Sequence, residues 1–338
     1  MLEVKDLHVR LDTSSGVVKA VDGVSFEIRA GKTLGIVGES GSGKSVLAQS
    51  LMQLNPSPPA YYPKGEILYQ GDDLLKASEQ KMQWIRGNEI AMIFQDPLSS
   101  LNPVYTVETQ LIEAIRSHVH MKKKVAKDKA IQLLKDVGIP EPARRIQEYP
   151  HQFSGGMRQR VMIAMALASN PRLLIADEPT TALDVTIQAE IMELLKELQV
   201  KYEMSLIIIT HDLGVVANLA DDILVMYAGR IVEKGPVNDI FYESAMPYTW
   251  SLLQASPRMD DLDRELVSIK GQPPNLTSLP KGCKFHPRCP FAEAKCLQQE
   301  PVLESRGEDH YAACILSSDA FKKKIERKHR EKERVTEL

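Results

Sequence analysis

Residues 1 to about 35 read as strand, turn, strand from the spacing of their apolar residues. The opening MLEVKDLHVR alternates apolar and polar positions, and Thr13-Ser14-Ser15-Gly16 supplies a hairpin connection. Leu34 to Val37 is a short buried strand running into a glycine-rich loop. Ser45 to Leu54 takes up helical spacing, which Asn55-Pro56-Ser57-Pro58-Pro59 stops. Gly65 to Tyr69 and Ile90 to Phe94 are further strand candidates. From Val107 to about Ser169 apolar residues recur three and four apart, through Leu111, Ile112 and Ile115 and through Ile131, Leu133 and Leu134, which predicts a helical region. Leu173 to Ala176 and Leu206 to Thr210 are unbroken apolar runs, the pattern of parallel strands buried on both faces. Ile187 to Tyr202 between them reads as a helix, and Ile223 to Met226 with Arg230 to Glu233 as a hairpin around Ala228-Gly229. Strands alternating with helices in this way predict an α/β fold.

The pattern changes after Ala255. As far as Pro280 there is little periodicity, with Pro257, Pro273, Pro274 and Pro280, and the segment reads as a linker to a small module holding all four cysteines. Phe321 to Leu338 mixes lysine, arginine and glutamate without an apparent apolar face and reads as a solvated terminal helix. Over 338 residues, 42 basic side chains face 45 acidic ones, net −3, so no global field draws the chain to nucleic acid. The longest apolar segment, Val161 to Ala168, is far short of the roughly 18 residues of a membrane span. The N-terminal residues lack the apolar core of a secretory signal. A cytosolic protein is expected, reaching any membrane through a partner.

The chemistry concentrates at three places. Gly38-Glu39-Ser40-Gly41-Ser42-Gly43-Lys44-Ser45 fits G-x-x-x-x-G-K-[ST] between an apolar strand and a helix. Glycines let such a loop curl so that successive N–H groups point at phosphate oxygens, and the helix N-terminus adds its dipole. Lys44 is expected to reach the β- and γ-phosphates of a nucleotide, and the Ser45 hydroxyl to ligate Mg²⁺. Leu173 to Glu178 is an apolar strand delivering two carboxylates at its carboxyl end, the edge where open parallel sheets place ligands. Asp177 is suited to the Mg²⁺ shell and Glu178 to orienting or deprotonating an attacking water. Phe153-Ser154-Gly155-Gly156 opens a helix at a turn, a second anion-binding N-terminus.

Taken in order, these landmarks resemble the ABC ATPase family over residues 1 to about 255. The resemblance implies a mixed-sheet core with an antiparallel β subdomain and a helical subdomain of about 96–169. It implies that Gln95, after the strand Ala91-Met92-Ile93-Phe94, senses metal and transporter, contributing to the Mg²⁺ site. Asp184, in Thr181-Ala182-Leu183-Asp184, matches the family's D-loop aspartate, and His211 the switch histidine on the γ-phosphate. Two subunits are then expected to close head-to-tail, each ATP held by one chain's phosphate loop and the other's Ser154, Gly155 and Gly156. Phe153 and Met157 replace the outer residues of the family's leucine-serine-glycine-glycine-glutamine signature. The loop Asp12 to Gly16 lacks the aromatic residue usual beside adenine, leaving Val17 or Val18 to pack the base.

Beyond the cassette, Pro247-Tyr248-Thr249, Gly271-Gln272-Pro273-Pro274 and Gly282 to Pro290 resemble the extension on oligopeptide and dipeptide importer ATPases. That resemblance implies an import motor at the cytoplasmic face of a membrane. Its partners would be a second, similar ATPase, two transmembrane permease subunits and an extracytoplasmic peptide-binding protein. Relatives importing nickel or glutathione share the extension. A soluble ABC ATPase acting on ribosomes or DNA is the alternative of another class, but there is one phosphate loop and no sustained heptad pattern. The contact to the membrane subunits is expected around residues 95–117. The expected division is 1–255 for the ATPase, 256–320 for linker and cysteine module, and 321–338 for a charged tail.

Cys283, Cys289, Cys296 and Cys314 are separated by five, six and seventeen residues, without the close pairs of structural zinc sites. A [4Fe–4S] cluster, which tolerates wider separations and is found in some importer ATPases with this extension, is the expectation, with zinc or unligated thiols as alternatives.

Overall fold

The computed structural model describes residues 1–95, 100–117, 119–181, 183–255 and 268–336, with side chains to residue 328. Residues 256–267 of the proline-bearing linker, residues 96–99 of the expected membrane contact, His118, Ala182 and the last two residues of the tail lie outside the described residues.

Strands β1 (Leu2–Thr13) and β2 (Gly16–Ile28) pair antiparallel, with Thr13 opposite Gly16 at the turn. With β4 (Ala60–Tyr69) and β5 (Asp72–Asp73) they form a four-stranded sheet in the order β2-β1-β4-β5. The second sheet has eight strands. Its parallel centre comprises β3 (Thr33–Val37), β6 (Ile90–Ile93), β7 (Leu173–Asp177) and β8 (Ser205–Thr210), with β9 (Asp222–Tyr227) parallel to β3. β10 (Arg230–Pro236) returns antiparallel through Ala228-Gly229, both at positive φ (51° and 79°), the combination that matches strand twist in a two-residue hairpin. The predicted strands and the predicted period-two and all-apolar patterns thus coincide with the sheets.

The all-apolar runs have a direct explanation. In β7, Leu173 and Ile175 face the core shared with the four-stranded sheet, while Leu174 and Ala176 face the helical side; in β8, Ile207 and Ile209 oppose Leu206 and Ile208 in the same way. Helix α1 (Lys44–Leu51) sits between the sheets, with Leu47, Ala48 and Leu51 buried. It stops at Leu51, one turn before the prolines, where Met52 leaves helical geometry. Helix α2 (Glu79–Asn88), absent from the sequence reading, is capped by Ser78, whose Oγ accepts from the Lys81 N–H, and is anchored by Met82 and Ile85.

The stretch expected to be helical from Val107 to Ser169 resolves into α3 (Val107–Arg116), α4 (Lys123–Asp136) and α5 (Gly155–Ala166). Gly138, Pro140, Pro142 and Pro150 interrupt the last interval, where one α-helical turn, Pro142–Arg145, and a 3₁₀ turn, Pro150–Gln152, form. Helix α6 (Val185–Lys201) crosses from β7 to β8, α7 (Leu213–Ala217) from β8 to β9, and α8 (Val237–Tyr242) and α9 (Pro247–Ala255) follow β10.

The cysteine-bearing segment packs onto this body. β11 (Glu304–Ser305) and β12 (Tyr311–Ala312) extend the eight-stranded sheet beyond β10. Phe285, 1% exposed, enters the main core between Tyr227 and Tyr248, ring centroids 5.3 and 5.2 Å away. The terminal helix α10 (Ser318–Thr336) was expected to have no apolar contact, and this needs correction. Phe321 is buried against Phe291, and Lys328 lies 5.1 Å above the Trp250 ring, so this helix is seated on the body rather than solvated all round.

Candidate active site

The loop between β3 and α1 is shaped by close approach of other backbone. A Cβ on Gly38 would lie 2.3 Å from the Met226 carbonyl oxygen, and one on Gly43 2.1 Å from that of Ala20; both glycines have positive φ (152° and 101°). Neither position admits another residue. Lys44 is buried and donates to the Gly38 and Glu39 carbonyls at 2.7 and 3.0 Å. Burial depresses its pKa, opposed by the carboxylates of Glu178, Asp177 and Glu39. Ser45 Oγ donates to Asp177 Oδ1 at 3.1 Å. Burial raises the Asp177 pKa, the Ser45 hydrogen bond opposes it, and the Glu178 charge adds to it. Ser42 Oγ is buried with no hydrogen-bond partner among the described residues.

Glu178, one residue past the end of β7, has φ 47° and is fixed by its N–H to the Ile209 carbonyl, 2.9 Å. Its Oε2 accepts from Gln95 Nε2 at 3.0 Å and Thr181 Oγ1 at 2.8 Å, and its Oε1 lies 3.5 Å from His211 Nδ1. Strands β3, β6, β7 and β8 therefore deliver the loop, Gln95, the two acids and His211 to one edge of the sheet.

These residues line a cleft of about 920 Å³, which takes in Glu39, Ser40, Gly41, Gly43, Lys44, Ser45, Gln95, Glu178 and His211. Its donor set fits a magnesium nucleotide: an ammonium with two acceptors it can exchange for phosphate, and a hydroxyl–carboxylate pair of the kind that completes a Mg²⁺ shell. The far wall is apolar, built by Leu11, Val18, Leu252, Ile269, Pro273 and Leu276. Val18 was anticipated as a base contact. Leu252 of α9 was missed, and so were Ile269, Pro273 and Leu276, because nothing local marks residues of a proline-rich segment as part of a site formed more than 200 positions earlier. Leu276 is held there by its carbonyl, which accepts from the Lys19 N–H at 3.3 Å.

Ser154, Gly155, Gly156 and Asp184 are not in this lining. Ser154 Oγ accepts from the Met157 N–H and caps α5; Asp184 Oδ1 accepts from the Ile187 N–H at 3.0 Å and caps α6. The two helix starts abut. A Cβ on Gly155 would meet Leu183 at 3.5 Å, and one on Gly156 would fall 2.8 Å from Ile187.

The iron–sulfur expectation, and its zinc alternative, find no support. Among the described residues no group of three or more His, Cys, Asp or Glu side chains is arranged to hold a metal. The thiols are near enough that neighbouring thiolate charge adds to the pKa of Cys289 and Cys314, but burial dominates and pushes these two up to about 12 and about 11. Cys283, Cys289 and Cys314 pack against the main core, and the Glu293 N–H points at Cys296 Sγ, 3.5 Å. Among the described residues no helix is long and apolar enough to cross a membrane.

Comparison with known proteins agrees with this geometry. A model described as ABC transporter matches residues 21–181, and one described as the C-terminal region of oligopeptide/dipeptide transporters matches residues 232–296. The oligopeptide transport ATP-binding protein OppD of Bacillus subtilis is 54% identical over 95% of this chain and 90% of its own length. The dipeptide transport ATP-binding protein DppD of the same organism is 52% identical over 94% of each. Among solved structures, the dimeric post-hydrolysis state of the ATP-binding cassette MJ0796 bound to ADP and phosphate superposes with a TM-score of 0.63. It is 27% identical and covers 70% of this chain and 99% of its own.

Proposed function

This chain belongs to the ABC transporter family, as an ATP-hydrolysing subunit of the oligopeptide/dipeptide kind, and on that premise we propose how its residues divide the work. The observation that carries the reading is the meeting of the Ser45–Asp177 pair with the Glu178–Gln95–His211 cluster at one cleft edge. The backbone of residues 38–45 and Lys44 hold the β- and γ-phosphates, Lys44 exchanging its two carbonyl acceptors for phosphate oxygens. Ser45, Asp177 and Gln95 would hold Mg²⁺, which would supply charge neutralisation on the transferring phosphoryl group. Glu178 accepts the proton of the attacking water, and His211 steadies the γ-phosphate.

Ser154, Gly155, Gly156 and Asp184 serve the site of a second ATPase subunit. Their exclusion from this chain's own cleft, together with the helix dipole at the start of α5, supports that reading. Residues 1–255 act as the cassette, with its helical subdomain at about 96–169, followed by the extension of 256–320 and the tail of 321–338. The machine is peripheral to the cytoplasmic face of a membrane. A second cleft of about 540 Å³, lined by Met52, Leu54, Phe94, Ser117, Met162 and Met165, is the surface offered to permease subunits. Peptides are the cargo class, delivered by an extracytoplasmic binding protein, as the names of the relatives support.

The test is purification through a tag on this chain from its native membrane. The expected result is a complex with another ATPase and two polytopic subunits, whose hydrolysis rises with a peptide-loaded binding protein. A chain recovered alone, or with ribosomes or DNA, refutes the proposal.

A further inference from the structure

Arg288 stands 249 positions from Glu39, yet its guanidinium grips that carboxylate with both prongs, Nη1 to Oε2 at 2.6 Å and Nη2 to Oε1 at 2.8 Å. Its side chain is only 6% exposed. Planar two-pronged pairs of this kind fix orientation as well as distance. The remaining donors are used as well: Nε to the Lys270 carbonyl at 3.1 Å, Nη2 to the Gly271 carbonyl at 3.4 Å, and Nη1 to Tyr227 Oη at 3.4 Å.

Both ends of this bolt belong to the nucleotide cleft. Glu39 opens the phosphate loop; its N–H donates to Tyr248 Oη at 2.8 Å and its carbonyl is one of the two acceptors of Lys44. Lys270 and Gly271 lie between Ile269 and Pro273, which line the opposite wall. Tyr227 and Tyr248, ring centroids 4.6 Å apart, pack against Phe285 beneath the pair. A single buried side chain of the C-terminal extension thus sets the gap between the loop and the wall.

We propose that Arg288 is a positioning residue for the nucleotide: through Glu39 and the Lys270–Gly271 backbone it makes the C-terminal extension a working part of the ATP site. The inference rests on the reading of that cleft as the MgATP site. Arg288 itself does not line the cleft. Its effect falls on affinity, because it holds the loop and wall before phosphate chemistry begins.

The experiment uses the full chain and MgATP, with Kd from equilibrium titration and unfolding temperature measured without nucleotide. The variants are Lys44→Ala, Arg288→Ala, Arg288→Lys, Glu39→Ala, Glu39→Gln and the Arg288→Ala/Glu39→Ala pair. Expected is a rise in Kd of about tenfold for Arg288→Ala and for Glu39→Ala, within the range of couplings between contacting residues. The double variant is expected to be no weaker than either single within about twofold, since all three break one contact. Arg288→Lys keeps the charge without the fork and should fall between. If Arg288→Ala does not fold, Glu39→Gln tests the same contact from the loop side and should also raise Kd. A Kd within about twofold of wild type for the folded single variants, with or without a lower unfolding temperature, or additive losses in the double, overturns the proposal. Wild type that binds no MgATP, or Lys44→Ala that binds it equally well, overturns the nucleotide reading and this proposal with it. Normal weakening by Lys44→Ala with Arg288→Ala unchanged overturns this proposal alone.

Discussion

Replacing Glu178 by Gln changes one oxygen into an amide and leaves shape and length intact. The backbone at 178 stays tied to Ile209, and the side-chain oxygen that remains can still accept from Thr181 and Gln95. What is lost is the negative charge and the proton acceptor. A positioned general base contributes about 10²- to 10⁴-fold, or about 2.7–5.5 kcal/mol of barrier, and hydrolysis should fall by at least ~100-fold. Binding should respond differently. The Glu178 charge raises the Asp177 pKa, so its removal lets Asp177 ionise more readily beside Ser45. It also removes one of the carboxylates that compete with phosphate for Lys44. Both effects favour MgATP or leave it unchanged. Phosphate release measured against an equilibrium ATP titration separates the two quantities, and gel filtration with ATP should show the variant held as a closed dimer. Near-normal turnover, or a loss of affinity equal to the loss of turnover, would refute the assignment.

Other outcomes follow from the same structure. If Ser154 completes the site of a second subunit, as proposed, hydrolysis per mole should rise with protein concentration; flat activity in a demonstrated monomer counts against the shared site. In Asp22, burial opposes ionisation, but hydrogen bonds from Arg230 and Arg10 outweigh it and hold the pKa at about 2. A depressed acid pKa stabilises the fold above the unfolded value near 4 and loses that contribution as pH falls toward 2. Asp22→Asn should therefore lose about 2 kcal/mol at pH 7 and show a flatter decline between pH 4 and 2 in urea unfolding. An unchanged slope there would exclude this linkage. Asp177 has the opposite sign: its raised pKa means the buried carboxylate destabilises the fold increasingly as pH rises above the unfolded value. Asp177→Asn should raise the unfolding temperature of the nucleotide-free chain at pH 7 while abolishing Mg²⁺-dependent hydrolysis, and a lower temperature would contradict that sign.

The sequence by itself determined whatever is carried by contiguous residues. The loop of residues 38–45 is one stretch of chain whose glycine, lysine and serine spacing is legible without its neighbours, and Asp177-Glu178 follows its strand without a break. The unbroken apolar runs of β7 and β8 betray a sheet covered on both faces, and Ala228-Gly229 betrays its hairpin. Local signals also mislead at their edges: α1 ends before its prolines, and the 107–169 region breaks where Gly138 and three prolines deny it backbone donors or helical geometry. Helix α2 went unread because only Met82 and Ile85 anchor it, too few to set a period. Tertiary structure alone decided the rest. Nothing in the spacing of four cysteines says that Cys283, Cys289 and Cys314 pack against the main core. Phe321 looks like an accident in a charged tail until Phe291 and Trp250 are placed beneath it. Arg288 reads as one more basic residue, and Ile269 and Leu276 as linker. Their partners are Glu39 and the cleft, and pairs hundreds of residues apart leave no periodicity in either segment, because the interaction exists only once the chain has folded back on itself.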